Sequence, residues 1–210
     1  METYRRKIAY QDKAVVEEYL GKFIDPVGRR EHEATALALT LALERIPGVK
    51  RILDLPCGAG RFTHFFHQKG YLYFGADVSM TMMEVLHREQ KRQGKTTPLV
   101  RCDGEHLPFK DSVFDCVVSI RFLNHHIPAI VRERIVGEMR RVSSKWLIVQ
   151  SHRLKPVGPF IFLKILMRKL CGGDVSKYLI RREILSEGWK EKERIPIQDK
   201  RFYIGVYQKT

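Results

Sequence analysis

The feature that most constrains the fold is a regular alternation, after residue 48, between short apolar segments and longer amphipathic ones. The short segments have the length and composition of buried β-strands, whereas the longer ones have the 3.6-residue period of helices. The predicted strands are residues 51–55, 71–76, 98–102, 114–120 and 145–150. Alternating strands and helices build βαβ units. The sequence therefore predicts an α/β fold with a Rossmann-like, doubly wound, mostly parallel sheet and helices on both faces.

Local signals also predict where helices begin and end. Residues 10–46 are expected to form one helix that Pro47 and Gly48 terminate, and Ser79 is a favourable N-cap for a helix to about residue 93. Helical spacing marks a buried stripe in the first helix and another in the helix after the fourth strand. These stripes are Ala34, Leu37, Ala38, Leu41 and Ala42, and Ile127, Val131, Ile135, Met139 and Val142.

The length of 210 residues is expected to form one domain (1–210) with a full hydrophobic core. Its predicted parts are an N-terminal helical cap (1–48), a core (49–150), and a lid helix with C-terminal strands (151–210). No signal peptide and no membrane-spanning apolar run are visible, and the four cysteines lack C-x-x-C spacing. A cytoplasmic protein with free thiols is the simplest interpretation.

The strongest local motif runs from residue 52 to residue 60, I-L-D-L-P-C-G-A-G. A strand ends near the carboxylate of Asp54, and a Gly-x-Gly turn then brings backbone N–H groups and a helix N-terminus toward a ligand. The dinucleotide-binding fingerprint would need a third glycine at position 63, where Thr63 stands. The turn therefore favours a cofactor without a pyrophosphate.

Acidic residues also follow the next two strands. Asp77 lies 23 residues beyond Asp54, the spacing typical of a ribose ligand, although it could serve only as part of a helix cap. Asp103 begins the run D-G-E-H-L-P-F, and F-D-C-V-V follows at residue 114. In order and spacing, residues 49–150 resemble the class I S-adenosylmethionine-dependent methyltransferases, particularly their small-molecule, type 11-like branch.

This resemblance implies seven strands and S-adenosyl-L-methionine as the cofactor. The contacts that it implies are Asp54, Gly58, Ala59 and Gly60 for the methionine portion, Asp77 for the ribose, and Asp103 with the Gly104 backbone for the adenine amino group. One departure is Pro56, where the family usually has glycine. Proline lacks an N–H, so cofactor approach just after the first strand is expected to differ in detail.

The segment after the fourth strand contains His125 and His126, where the family often has histidines facing the transferable methyl group. A histidine could accept the proton of an attacking hydroxyl or amine. Alternatively, these histidines pack structurally and the enzyme acts only by alignment. Residues 124–127 lack the Pro-Pro-aromatic tetrad of enzymes that methylate exocyclic amines of bases, and no Pro-Cys nucleophile is present.

The C-terminal region combines apolar and basic character. Residues 156–170 are apolar around Lys164, Arg168 and Lys169, which favours a lid for a lipid-like or anionic acceptor, or docking at an anionic membrane surface. A core-packing helix with solvated lysines is the alternative. The net charge is +14, and residues 151–210 hold 14 Lys and Arg against 6 Asp and Glu. This excess also suits RNA, or reflects composition bias alone.

The sequence therefore predicts a methyltransferase for a small-molecule or lipid-like acceptor, with no metal. The first alternative is an RNA methyltransferase, which the basic charge encourages. The second is a cofactor-binding partner subunit without catalysis, which the intact acidic and glycine positions disfavour. A nicotinamide-dependent oxidoreductase is the weakest alternative, because Thr63 interrupts its fingerprint.

Overall fold

The computed structural model describes residues 8–22, 25–123, 127–152, 183–185, 188–198 and 202–210. Its helices are α1 (Lys13–Gly21), α2 (Pro26–Glu44), α3 (Thr63–Gln68), α4 (Met80–Arg92) and α5 (Ala129–Val142). Its strands are β1 (Arg51–Asp54), β2 (Leu72–Asp77), β3 (Leu99–Arg101), β4 (Phe114–Ser119), β5 (Ser143–His152), β6 (Trp189–Pro196) and β7 (Phe202–Lys209).

The strands form one seven-stranded sheet in the order β3-β2-β1-β4-β5-β7-β6. The first five pair in parallel, whereas β7 runs antiparallel to both of its neighbours. The predicted doubly wound, mostly parallel sheet is therefore confirmed. The chain winds outward from β1 in both directions, so the switch in strand order lies between β1 and β4. Ligands of such sheets bind at the carboxyl ends of the strands beside this switch.

Two apolar cores cover the two faces of the sheet, because successive strand side chains point in opposite directions. On one face, Leu53 and Val117 belong to a cluster with α5. On the other face, Ile52 and Val118 belong to a cluster with α2. The predicted stripe of α5 is confirmed, since all five of its apolar residues are buried. No helix within the described ranges is both long and apolar enough to cross a membrane.

The prediction of one helix over residues 10–46 is wrong, because α1 and α2 are separate. Asp25 caps α2 by accepting a hydrogen bond from the Gly28 N–H (2.8 Å), and Pro26 occupies the first turn. Proline is favourable there and disfavours helix in the residue before it. Leu37 is 53% exposed, so the α2 stripe is also partly wrong. By contrast, Ser79 caps α4 as predicted, accepting from the Met82 N–H (3.1 Å).

Candidate active site

A cavity of about 340 Å³ lies at the carboxyl ends of β1 and β2, beside the residues that follow β4. We call the part formed by Asp54, residues 56–59 and Asp77 the floor. The residues Tyr10, Tyr19, Arg29, His32, Arg61 and Arg121 form what we call the cap wall. The floor is acidic and the cap wall is basic. Because this is the edge that the sheet topology selects for ligands, the cavity is the candidate active site.

The turn after β1 is held close to the neighbouring strands. The Leu55–Pro56 peptide is cis, Leu55 donates its N–H to Val118 O (2.9 Å), and Cys57 donates to Ala76 O (2.9 Å). Gly58 and Gly60 both have positive φ, 53° and 84°. A Cβ at Gly58 would meet no protein atom within 4 Å, which leaves room for a ligand to approach the backbone.

Gly60 is required by the packing of the protein and not by the approach of a ligand. It does not line the cavity, and a Cβ there would lie 2.2 Å from Leu86 Cδ1 of α4. The glycine at this position therefore allows α4 to pack against the turn. Of the four residues predicted at the methionine portion, Asp54, Gly58 and Ala59 line the cavity.

Asp54 is buried at the end of β1 and is held by a short chain of hydroxyl groups. Thr63 Oγ1 donates to the Tyr73 hydroxyl (3.1 Å), and that hydroxyl donates to Asp54 Oδ2 (3.0 Å). Burial raises the pKa of Asp54 to about 7; the Tyr73 hydrogen bond opposes this rise, and the Asp77 charge adds to it. Thr63, which occupies the position of the missing third glycine, thus orients the tyrosine that holds Asp54.

Asp77 is buried at the end of β2 and braces the floor. Its Oδ2 accepts the Gly58 N–H (2.8 Å), and its Oδ1 accepts the Ser79 N–H (2.8 Å). Burial raises the pKa of Asp77, and these backbone hydrogen bonds oppose the rise. One carboxylate therefore connects the glycine turn to the start of α4 while it also faces the cavity.

Asp103 and Gly104 follow β3 and do not line the cavity of the unliganded chain. Asp103 is half-buried in a turn where its Oδ1 accepts the Glu105 N–H (3.2 Å) and its backbone O accepts the His106 N–H (2.9 Å). Gly104 is buried, and a Cβ there would make only ordinary contact with Ile135. Their predicted adenine contact stays a prediction.

The predicted catalytic residues, His125 and His126, lie outside the described residues, as do residues 156–170 with Lys164, Arg168 and Lys169. The segment leading to the histidines is described: Ile120, Arg121 and Phe122 line the cavity. In sequence, segment 124–126 therefore begins two residues after the last of these cavity-lining residues.

The cap wall contains residues that no sequence motif singled out. Arg61 donates from Nε to His32 Nδ1 (3.1 Å), and its guanidinium lies 5.1 Å from the centre of the Phe62 ring. His32 stacks on the same ring, with centroids 5.1 Å apart. Burial lowers the pKa of His32, and Arg61 adds to this effect. Burial likewise lowers the pKa of Arg61 to about 10.

The segment before α1 is hydrogen-bonded to the start of α4, next to Asp77. Thr81 Oγ1 donates to Gln11 O (2.8 Å), Gln11 Nε2 donates to Val78 O (3.2 Å), and Ser79 Oγ donates to Tyr10 O. Tyr10 packs edge-on against Tyr19, with ring centroids 5.5 Å apart. These contacts close the cavity on the ribose side of the predicted cofactor site.

Arg132 of α5 is a further residue that the sequence did not predict. It is fully buried, and its guanidinium donates to both carboxylate oxygens of Glu183 (2.7 and 2.5 Å) and to Ile127 O (3.1 Å). Ile127 directly follows the segment with the two histidines, and Glu183 follows the segment with the predicted lid. The ion pair therefore anchors the chain where both segments rejoin the described fold.

A glycine turn follows β1, and one carboxylate ends each of the first two strands, in a sheet whose Rossmann-like fold is shared with solved methyltransferase structures. Residues 52–145 match the family described as a methyltransferase domain. This part of the chain is thus similar to a methyltransferase domain.

Three known proteins illustrate this similarity. The chain is 32% identical over 151 residues to the ubiquinone/menaquinone biosynthesis C-methyltransferase of Bordetella avium, covering 63% of this chain and 56% of that protein. It is 36% identical over 74 residues to the 18S rRNA (guanine-N(7))-methyltransferase of Schizosaccharomyces pombe, covering 35% and 26%. The structure of the Synechocystis magnesium protoporphyrin IX methyltransferase aligns with a TM-score of 0.70 at 16% identity, covering 96% of this chain and 97% of that one.

The chain therefore spans about half the length of the first of these relatives and about a quarter of the second. The structural match extends over nearly the whole of both chains, and at this identity it shows the shared fold.

Proposed function

We propose that the chain is an S-adenosylmethionine-dependent methyltransferase that acts on a small-molecule or lipid-like acceptor. The observation that carries this proposal is the acidic floor, where Asp54 and Asp77 lie buried in one cavity beside the open backbone of Gly58. A cofactor with a sulfonium and an ammonium group is cationic, and its binding would offset the cost of burying these two carboxylates.

The residues of the candidate site fit this cofactor. Asp54 and Gly58 would hold its methionine portion, Asp77 would accept hydrogen bonds from its ribose, and Asp103 would bind its adenine amino group. When bound, the cofactor supplies an electrophilic methyl group. The chain's own residues then orient that group toward the acceptor and exclude water with the N-terminal segment that closes the cavity.

The general base in this proposal is His125 or His126, each placed by sequence directly after the cavity-lining segment. Replacing the correct one with Ala is expected to reduce methyl transfer by about 10²–10⁴-fold, because proton removal from the acceptor would be lost. Affinity for S-adenosylhomocysteine should not change. Near-normal transfer in both single variants would leave alignment as the whole mechanism.

The small-molecule acceptor is supported by the quinone-biosynthesis relative, whose alignment covers 63% of this chain, against 35% for the rRNA-modifying one. The net charge of +14 is the observation that favours RNA. A filter-binding salt series with bulk RNA, beside co-sedimentation with anionic vesicles, separates the two. RNA retained at physiological salt, with no vesicle binding at low salt, would favour the RNA methyltransferase.

Isothermal titration with S-adenosylmethionine, S-adenosylhomocysteine and NAD tests the cofactor. We expect binding of the first two and none of NAD, because Thr63 replaces the glycine that a pyrophosphate cradle needs. Tight binding of NAD, with no heat from S-adenosylhomocysteine, would contradict the proposed function.

A further inference from the structure

The helix α5 carries a row of charged side chains beside its buried apolar stripe. Arg134, Glu138 and Arg141 are spaced by four and three residues, so their side chains lie along one face of the helix. All three contact the loop of residues 103–111, which follows β3. This loop contains Asp103, the predicted adenine contact. Neither the floor nor the cap wall accounts for these contacts.

Glu138 and Arg141 together bind both backbone groups of Leu107. Glu138 Oε2 accepts the Leu107 N–H (2.7 Å), and Arg141 Nη2 donates to the Leu107 carbonyl oxygen (2.9 Å). Arg141 Nη1 also donates to Phe109 O (2.7 Å) and to the Asp111 carboxylate (2.8 Å). Because a guanidinium has five N–H donors in one plane, this single side chain fixes three points of the loop.

The carboxylate and the guanidinium also hold each other. Arg141 donates from Nε to Glu138 Oε1 (2.7 Å) and from Nη2 to Glu138 Oε2 (2.8 Å), which is the two-point geometry of a strong charge-assisted pair. The Arg141 hydrogen bonds lower the pKa of Glu138, burial opposes this effect, and the Leu107 N–H adds to it. Glu138 therefore stays ionised at neutral pH, and the two side chains act as one unit on the loop.

A tight turn connects Leu107 to Asp103. Asp103 O accepts the His106 N–H (2.9 Å), and Asp103 Oδ1 accepts the Glu105 N–H (3.2 Å). The Leu107 side chain is buried in the core that α5 covers. A displacement of the Leu107 backbone would therefore pass through this turn to the Asp103 carboxylate.

We propose that Glu138 and Arg141 are positioning residues, which hold the loop of residues 103–111 so that Asp103 can recognise the amino group of the cofactor's adenine. Neither side chain lines the cavity, so both act on the ligand only through the loop. A hydrogen bond from an amino group depends on distance and direction, and anchored backbone on the far side of the turn maintains both. This positioning role rests on the proposed function, because it takes S-adenosylmethionine as the ligand.

A ratio of two affinities, measured by titration calorimetry on the full chain, tests this role. S-adenosylhomocysteine carries the adenine amino group, whereas S-inosylhomocysteine has a carbonyl oxygen in its place. We expect the wild type to prefer S-adenosylhomocysteine by roughly 10- to 100-fold, because the Asp103 carboxylate would lose a hydrogen bond and face an oxygen atom. Asp103→Asn should remove this preference, since an amide can donate to the carbonyl oxygen.

The variants are Glu138→Gln and Arg141→Gln, and each should reduce the preference by roughly 5- to 10-fold, the effect of about one hydrogen bond. The double variant should lose little more than either single one, because the pair acts as a unit. The matched control is Arg194→Gln. Arg194 forms the same kind of two-point pair with Glu191 (2.7 and 2.9 Å), on the strand at the opposite edge of the sheet from β3. The control should keep the wild-type preference.

A loss of stability alone would not change this ratio, because the folded fraction of a variant enters both affinities equally. Arg141→Lys is the milder variant, and its ratio decides if Arg141→Gln does not fold. It keeps the charge but lacks the planar donors, so its preference should lie between those of the wild type and Arg141→Gln.

Two outcomes would overturn the positioning role and leave the proposed function standing. The first is a wild-type ratio in folded Glu138→Gln and Arg141 variants, and the second is a wild type that binds both ligands equally well. An equal fall of the ratio in Arg194→Gln would overturn it too, because the effect would not depend on the loop. A wild type that binds neither ligand would instead overturn the proposed function, and the positioning role with it.

Discussion

The floor and the cap wall face the same cavity but are built in opposite ways. The floor contains two buried carboxylates, and backbone N–H groups from the adjoining turns hold its Asp77 in place. The cap wall is basic and mostly half-buried, and its side chains come from α1 and the segment before it, from α2, and from the residues flanking α3 and β4. The floor therefore depends on backbone geometry, whereas the cap wall depends on tertiary packing.

This difference in construction suits the floor and the cap wall to different parts of a ligand. An acidic floor can recognise the constant cationic part of a cofactor, because hydrogen bonds hold its carboxylates in position. A wall assembled from separate helices can be altered without disturbing the strand ends, which suits it to the variable part of a ligand. Perturbing each region in turn should therefore give distinguishable effects on stability and on binding.

The largest expected effect is on the backbone of the turn that follows β1, next to the floor. Gly60→Ala should lower the free energy of unfolding by about 2–4 kcal/mol, because it combines a left-handed φ with a Cβ 2.2 Å from Leu86 Cδ1. Gly58→Ala is the matched control, since its Cβ meets nothing within 4 Å. Gly58→Ala should lower the free energy of unfolding by only about 1 kcal/mol, and its main effect should be weaker cofactor binding. Urea unfolding measures the stability of the two variants. Equal losses of unfolding free energy in Gly60→Ala and Gly58→Ala would contradict the packing argument.

The same contrast explains how much the sequence could predict. The floor lies within short motifs, where a strand, a turn and a carboxylate are neighbours along the chain. The sheet, the Ser79 cap and the α5 stripe follow from similarly local patterns, and the structure confirms them. The role of Thr63 has no local signal, because Thr63 begins α3 whereas its partner Tyr73 lies on β2, and the hydroxyl chain needs their tertiary contact.

The cap wall had no comparable signal. Arg61 and His32 are 29 residues apart, and nothing in their local sequence indicates that one donates a hydrogen bond to the other. The break between α1 and α2 did have a signal, since Asp25 and Pro26 form a favourable helix start. The regular apolar spacing of residues 34–42 favoured one continuous helix instead. Arg132 lacked a signal because its partner Glu183 is 51 residues away.

The next largest effect is on cofactor affinity at the floor. Asp77→Ala should weaken binding of S-adenosylhomocysteine by about 1.5–3 kcal/mol, through the loss of hydrogen bonds to a charged acceptor. Binding of 5′-methylthioadenosine should weaken equally, because both ligands keep the ribose. Titration calorimetry compares the two. Wild-type affinity in a folded variant would refute the ribose assignment.

Asp77→Ala should also reduce stability, unlike a change on the exposed face of α2. The variant removes the acceptor for the Gly58 and Ser79 N–H groups, at a cost of about 1–3 kcal/mol for each group that stays buried without a partner. Arg30→Gln, exposed on α2, serves as the control and should leave stability unchanged. Equal stability of the two variants in urea would show that the floor is less rigid than its contacts indicate.

The smallest expected signal is a fraction of a proton, and it comes from Asp54. Its pKa in the unliganded fold is about 7, above the ordinary carboxyl value of 3.8, chiefly because of burial. A group whose pKa is raised by folding stabilises the fold fully below its ordinary pKa. That contribution should decline as the pH rises from about 4 through about 7. Asp54→Asn should remove this part of the pH dependence, which urea unfolding across that range would measure.

Binding of the cationic cofactor should reverse the shift, because a positive charge beside Asp54 favours the carboxylate. Because the raised pKa of Asp54 lies near neutral pH, binding of S-adenosylmethionine at pH 7 should release a fraction of a proton. Calorimetry in buffers with different ionisation enthalpies measures this number. The Asp54→Asn variant isolates the contribution of Asp54 from that of Asp77, whose pKa burial also raises. An identical proton release in wild type and variant would mean that Asp54 is already ionised in the free protein, and that the floor carries its full negative charge before any ligand arrives.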